Sequence, residues 1–159
     1  MKPNQYIQRG RVKKTKGQVK KHVSQMSKEE IQYLARRVKL VSGSYKWTAH
    51  SLDSSRMFNM LTVERLLNSP DLEKCIIEYN ETPSKKRKGF IEKRVLLRST
   101  FSKEVLLNHK GTSSLEEANL CISIDIMTGV VVTAYWNKVT DNHKNIDMRR
   151  YNKTLRIGA

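Results

Sequence analysis

The sequence predicts an α+β fold: N-terminal helices followed by a twisted antiparallel β-sheet of about four strands. Three observations lead to it. Ser27-Lys28-Glu29-Glu30 has the form of a capping box, and Ile31, Leu34, Ala35 and Val38 follow at helical spacing. Beyond residue 75 the pattern shifts to short alternating runs rich in β-branched residues. Two of these runs, 120–126 and 130–137, flank Thr128-Gly129 and read as a hairpin.

Residues 1–24 hold eight Lys/Arg and no Asp or Glu, with Pro3, Gly10 and Gly17 breaking any helical pattern. Such a segment cannot bury enough apolar surface to order itself, so it is expected to be a flexible basic arm. Residues 25–159 are then a single α+β domain. Its first helix should stop before Ser42-Gly43-Ser44. Asp53 or Ser54 can cap a second helix covering Met57, Met60 and Leu61, with 62–68 extending it or starting another. Ser69-Pro70-Asp71 stops it.

Strands are expected at 75–79 and 90–100, with a further one at 104–108, and the hairpin adds two more. Between the first two lies Pro83-Ser84-Lys85-Lys86-Arg87-Lys88-Gly89, four consecutive cations bracketed by Pro and Gly. Such a loop is suited to gripping a phosphate backbone, although a charge run can equally be a solvated turn. The sequence shows no internal repeat.

Charge narrows the partner. The 159 residues carry 31 Lys+Arg against 15 Asp+Glu, a net charge of +16. That excess attracts polyphosphate, because neutralising phosphates releases condensed counterions. Nucleic acid is the leading expectation and an anionic membrane surface its competitor. No apolar run approaches the roughly 20 residues of a spanning helix, and the first ten residues lack the apolar block of a secretory leader. A cytoplasmic location is therefore expected. Cys75 and Cys121, the only cysteines, sit in apolar runs and read as core thiols. Two cysteines without a closely spaced histidine do not make a zinc ribbon, so neither metal nor small-molecule cofactor is expected.

Cleaving RNA without a metal requires a base for the 2′-hydroxyl proton, an acid for the leaving oxygen, and cations or donors around the phosphorane. His50 precedes the second helix, and Arg56 follows six residues later. Arg98 stands near the end of an alternating run, where a strand can aim its guanidinium at a phosphate. Thr133 and Tyr135, two apart on one strand, share a sheet face and can donate to a scissile phosphate. Tyr135 or Trp136 can stack a base. His143 lies just beyond, in Asp141-Asn142-His143.

Each residue also has a plainer explanation. His50 can be a cap, Arg98 can pair with Glu78 or Glu92, and Thr133 is a good strand former. Tyr135 and Trp136 can be core, and His143 can belong to a polar turn. His22 and His109 carry no assignment.

The order His50, Arg56, Val95-Leu96-Leu97-Arg98-Ser99, Gly129 through Tyr135 and Asp141-Asn142-His143 resembles the barnase-EndoU-colicin-RelE superfamily of ribonuclease toxins, in its phage and plasmid branch. The resemblance covers roughly residues 45–151. It implies helices before a twisted antiparallel sheet, with the site on the sheet face. It also implies His50 as acid or base, Arg56 and Arg98 as phosphate ligands, Thr133 as a hydrogen-bonding group and His143 as the second proton carrier. Ser51-Leu52-Asp53-Ser54-Ser55 departs from the more regular helix of such toxins and bears on the placing of Arg56.

The resulting expectation is a metal-independent endoribonuclease that leaves a 2′,3′-cyclic phosphate, a toxin or host-takeover factor of a bacterial or phage-infected cell. Lys85, Lys86, Arg87 and Lys88 would hold the RNA, and an antitoxin or immunity protein would be a further partner. The alternatives are a non-catalytic nucleic-acid-binding protein, such as a phage regulator or RNA chaperone, and an inhibitor of an acidic host protein.

Overall fold

The computed structural model describes residues 17–47, 60–109, 111–141 and 147–158. The elements run β1 (Val19–His22), a 3-10 turn (Val23–Gln25), α1 (Lys28–Ser42), β2 (Lys46–Trp47), α2 (Met60–Leu67), α3 (Leu72–Cys75), β3 (Ile76–Pro83), β4 (Ile91–His109), β5 (Thr112–Asp125), β6 (Val130–Lys138) and a last 3-10 turn (Met148–Arg150). The class is α+β, as expected. The sheet, however, has six strands, in the order β1-β3-β4-β5-β6-β2, where about four were expected. Every pairing is antiparallel except β2 with β6.

The capping box forms as the sequence predicts. Glu30 N donates to Ser27 Oγ at 3.1 Å and Ser27 N to Glu30 Oε1 at 2.9 Å, so two otherwise orphaned donors are satisfied reciprocally. The helix carries Leu34, Ala35, Val38 and Val41 on its buried face and ends at Ser42, with Gly43 at its C-cap.

Three features depart from expectation, each for a physical reason. Within the stretch expected to be an arm, residues 19–22 form the edge strand β1, held by antiparallel pairing to β3. Cys75 closes the short helix α3 instead of opening a strand. The Ser69-Pro70-Asp71 stop is followed at once by a new helical turn, with Lys74 N donating to Asp71 O at 2.8 Å. The runs expected as separate strands at 90–100 and 104–108 are one strand, β4, with an irregularity between Arg98 and Ser102. Side chains stitch that gap: Leu120 N donates to Ser99 Oγ at 2.9 Å, and Asn119 Nδ2 to Phe101 O at 2.9 Å.

The hairpin turn is built by Asp125, whose Oδ1 accepts from Met127 N and Thr128 N at 2.8 and 3.0 Å. Gly129 completes it at φ +78°, a conformation that disfavours any side chain.

The helices cover one face of the sheet. Leu34, Val38, Leu66, Leu67 and Leu72 pack with Val95, Leu97, Leu120, Ile122, Ile124 and Ala134 in a single core. Burying each large aliphatic side chain contributes about 1.5–3 kcal/mol. At the β1 edge the chain's last described residues close the sheet. Asn152 N donates to Lys20 O at 2.7 Å, Lys21 Nζ to Leu155 O at 2.7 Å, and Ile157 N to Glu30 Oε2 at 3.0 Å. Cys75 and Cys121 are buried free thiols, as expected of core cysteines. Among the described residues no helix is long and apolar enough to cross a membrane.

Candidate nucleic-acid interface

Strand alternation puts a different chemistry on the second sheet face. Arg98 pairs across the ladder with Cys121, and Cys121 with Tyr135; one row along, Ser123 pairs with Thr133. Arg98, Thr133 and Tyr135, expected in one site, therefore do share a face. Trp136 points the other way and packs, partly buried, against the core. His50, Arg56 and His143 lie outside the described residues.

Arg98 is 9% exposed, and its guanidinium is engaged from three directions. Nε donates to Asn119 Oδ1 at 3.0 Å, Nη2 to Lys138 O at 2.7 Å, and Nη1 to Asp141 O. Asn137 Nδ2 reaches the same Asp141 carbonyl at 3.3 Å. The fork thus fastens residues 138–141 to the end of β6, where the sequence reading aimed it at a phosphate. The Tyr135 hydroxyl is buried beside the Cys121 thiol and has no hydrogen-bond partner among the described residues. Burial holds this phenol well above its usual range, and it pushes the Cys121 thiol up to about 12. Both stay protonated at neutral pH, so Tyr135 is a hydrogen-bond donor and Cys121 is not a nucleophile.

Sequence reasoning left His22 without a role, but the same face holds it opposite Glu78. Its Nδ1 accepts from Ser24 N at 3.1 Å, so the neutral ring carries its proton on Nε2. The ring meets Tyr151 edge-on, centroids 5.4 Å apart, and the Tyr151 hydroxyl donates to Glu78 Oε1 at 3.1 Å. Glu78 is 2% exposed, with Lys20 Nζ 3.5 Å from its Oε2. Burial draws His22 below its usual pKa, with Glu78 pulling the other way, and burial raises the Tyr151 phenol.

The cationic loop is ordered by its own bonds. Ser84 N donates to Phe90 O at 2.8 Å, Phe90 N to Arg87 O at 3.1 Å, and Arg87 N to Ser84 Oγ at 3.1 Å. Lys85, Lys86, Arg87 and Lys88 are all exposed on it. The loop helps to line a groove of about 880 Å³, to which the β5–β6 turn also contributes Met127 and Thr128. Thr82, Glu92, Lys93, Arg94 and Asp125 also line the groove, as do the exposed Phe90 and Ile91. The Arg87 guanidinium sits over the Phe90 ring, 5.9 Å from its centroid. Sequence reasoning found the cations and missed the groove behind them. Among the described residues no three His, Cys, Asp or Glu side chains gather to hold a metal ion.

In comparisons with known proteins, no family model, no curated protein and no solved structure matches this chain.

Proposed function

We propose that this protein binds RNA, gripping the phosphate backbone with the loop that carries Lys85, Lys86, Arg87 and Lys88. The observation behind this reading is that four consecutive exposed cations sit on an internally bonded turn, three of them lining a groove, in a chain of net charge +16. Cations fixed at a groove edge neutralise successive phosphates without each losing the entropy of an ordered loop.

The experiment is the salt dependence of RNA binding, measured by fluorescence anisotropy for the parent chain and for the variant with all four residues changed to alanine. On a single strand the logarithmic slope should flatten by about 0.7 for each phosphate that no longer meets a cation, up to about 3 in all. An unchanged slope removes the loop from the interface.

A second reading, metal-independent cleavage of RNA by 2′-oxygen attack, is favoured by one observation: Arg98, Thr133 and Tyr135 lie side by side on one sheet face. In this reading Thr133 donates to the phosphate, His50 and His143 carry protons, Arg98 is a positioning residue that holds the 138–141 turn, and the buried Tyr135 hydroxyl does not reach the substrate. Purified protein incubated with bulk RNA and EDTA tests it. Cleavage that His50→Ala abolishes while affinity is spared supports the enzyme; intact RNA leaves the binding protein.

A further inference from the structure

We infer that the groove beside the cationic loop takes a single strand with its bases turned inward and its phosphates on the rim, an inference that rests on the RNA-binding reading above. The distribution of charge across the groove leads to it. Lys85, Lys86 and Arg87 line the groove from the loop and form no ion pair among the described residues, whereas Glu92, Lys93, Arg94 and Asp125 line it from the strands, with Glu92 paired to Arg94. A phosphate backbone laid over the strands would meet the carboxylates of Glu92 and Asp125 among cations, one of which is already paired, and one laid along the loop meets only unpaired cations. The strand therefore runs along the loop, and what it directs into the groove is not phosphate.

The apolar side chains say what is directed inward. Phe90 is 62% exposed, Ile91 55% and Met127 53%, and all three line this one groove. An exposed aromatic ring with an arginine over it is a platform for a nucleobase, because every base offers a π-face. A duplex keeps those faces stacked on one another and offers the protein only phosphate, sugar and base edges; a single strand can splay its bases onto the ring. The groove also holds polar groups that a base edge can meet. Arg94, which lines the groove and is bound to Glu92, has a buried Nε with no acceptor among the described residues. The volume, about 880 Å³, is in the upper part of the roughly 300–1,000 Å³ usual for pockets that enclose small organic groups.

The test compares three probes at one salt concentration: a single-stranded RNA oligonucleotide, the same sequence as a duplex, and inorganic polyphosphate of similar charge. The parent should prefer the single strand to the duplex at least tenfold. Phe90→Ala should lower single-strand affinity about tenfold and leave polyphosphate affinity unchanged, with Phe90→Trp restoring it. The ring is exposed, so circular dichroism of both variants should match the parent. If Phe90→Ala has no effect, or duplex and single strand bind alike, while the four-alanine loop variant still weakens all probes, the inward placing of bases is overturned and the phosphate grip stands. If the loop variant weakens none of them, the RNA-binding reading itself has failed.

Discussion

Lys21 and Glu30 form an ion pair, Nζ to Oε1 2.8 Å, that joins the edge strand β1 to the first turn of α1. The carboxylate does more than neutralise the lysine. It also receives Ser27 N and Ile157 N, so helix start, edge strand and C-terminal segment meet on one side chain. Both partners are largely shielded from water, with side-chain exposures of 7% and 13%.

Removing Glu30 should therefore cost more than a surface pair would. Glu30→Ala strands a buried ammonium and two backbone donors, and urea unfolding should show a loss of about 3 kcal/mol. Adding Lys21→Met to that variant should recover part of the loss, because the unpaired charge is gone. Burial works against the Glu30 charge, but the bonds from Lys21, Ser27 and Ile157 outweigh it and hold the carboxyl below its ordinary 4.5. A depressed carboxyl pKa contributes stability that is complete above 4.5 and drains away as pH falls through the lower folded value. Glu30→Gln should remove that part of the acid sensitivity, read as a flatter stability profile below about pH 4.5.

Arg98→Ala should unfold more readily, by about 3 kcal/mol, since the carbonyls of Lys138 and Asp141 lose their charged donor. Arg98→Lys should recover little, because an ammonium cannot replace a planar fork aimed at separate oxygens. RNA affinity of the folded variant should stay within about twofold of the parent. A variant of full stability and weakened RNA binding would instead make Arg98 a phosphate ligand.

His22 should titrate below 6.5 in the folded protein, which two-dimensional NMR of the imidazole can follow. Burial is the main cause, with the Glu78 charge opposing it. Nδ1 already accepts the Ser24 N–H, so adding a proton there breaks the cap of the following turn. A histidine with a lowered folded pKa contributes stability that is complete above 6.5 and lost as pH falls below it. His22→Asn keeps an acceptor at the cap and should abolish this pH dependence while the turn persists.

Gly129→Ala should lower stability by about 1–2 kcal/mol, the cost of a side chain in the left-handed region. The residue has φ +78°, and an added Cβ would sit 3.2 Å from the Val41 carbonyl oxygen. A fall of several degrees in the thermal midpoint is the expected reading.

What the sequence disclosed follows from how local each device is. The α1 capping box and the Asp125 to Gly129 turn are closed by residues within a few positions of one another, so their signatures sit in contiguous sequence. β1 was hidden because Val-Lys-Lys-His has no strand signal of its own; its partners lie at Glu78 to Glu81 and near Asn152. β4 read as two strands because the polar stretch at Ser99 to Ser102 resembles a break, and nothing local reveals that Ser99 and Asn119 bridge it. At the site, the loop cations were legible from charge alone. Arg98 was not, because its acceptors include backbone carbonyls, which no residue type advertises.

The C-terminal segment that fastens β1 has a consequence for synthesis. The edge strand β1 is made about 130 residues before its fasteners, yet Asn152 and the Leu155 carbonyl hold it directly, and Ile157 holds the Glu30 carboxylate that grips Lys21. A nascent chain must leave that edge open until these residues have emerged from the ribosomal tunnel, so closure of the β1 edge waits for the synthesis of residues 152–157.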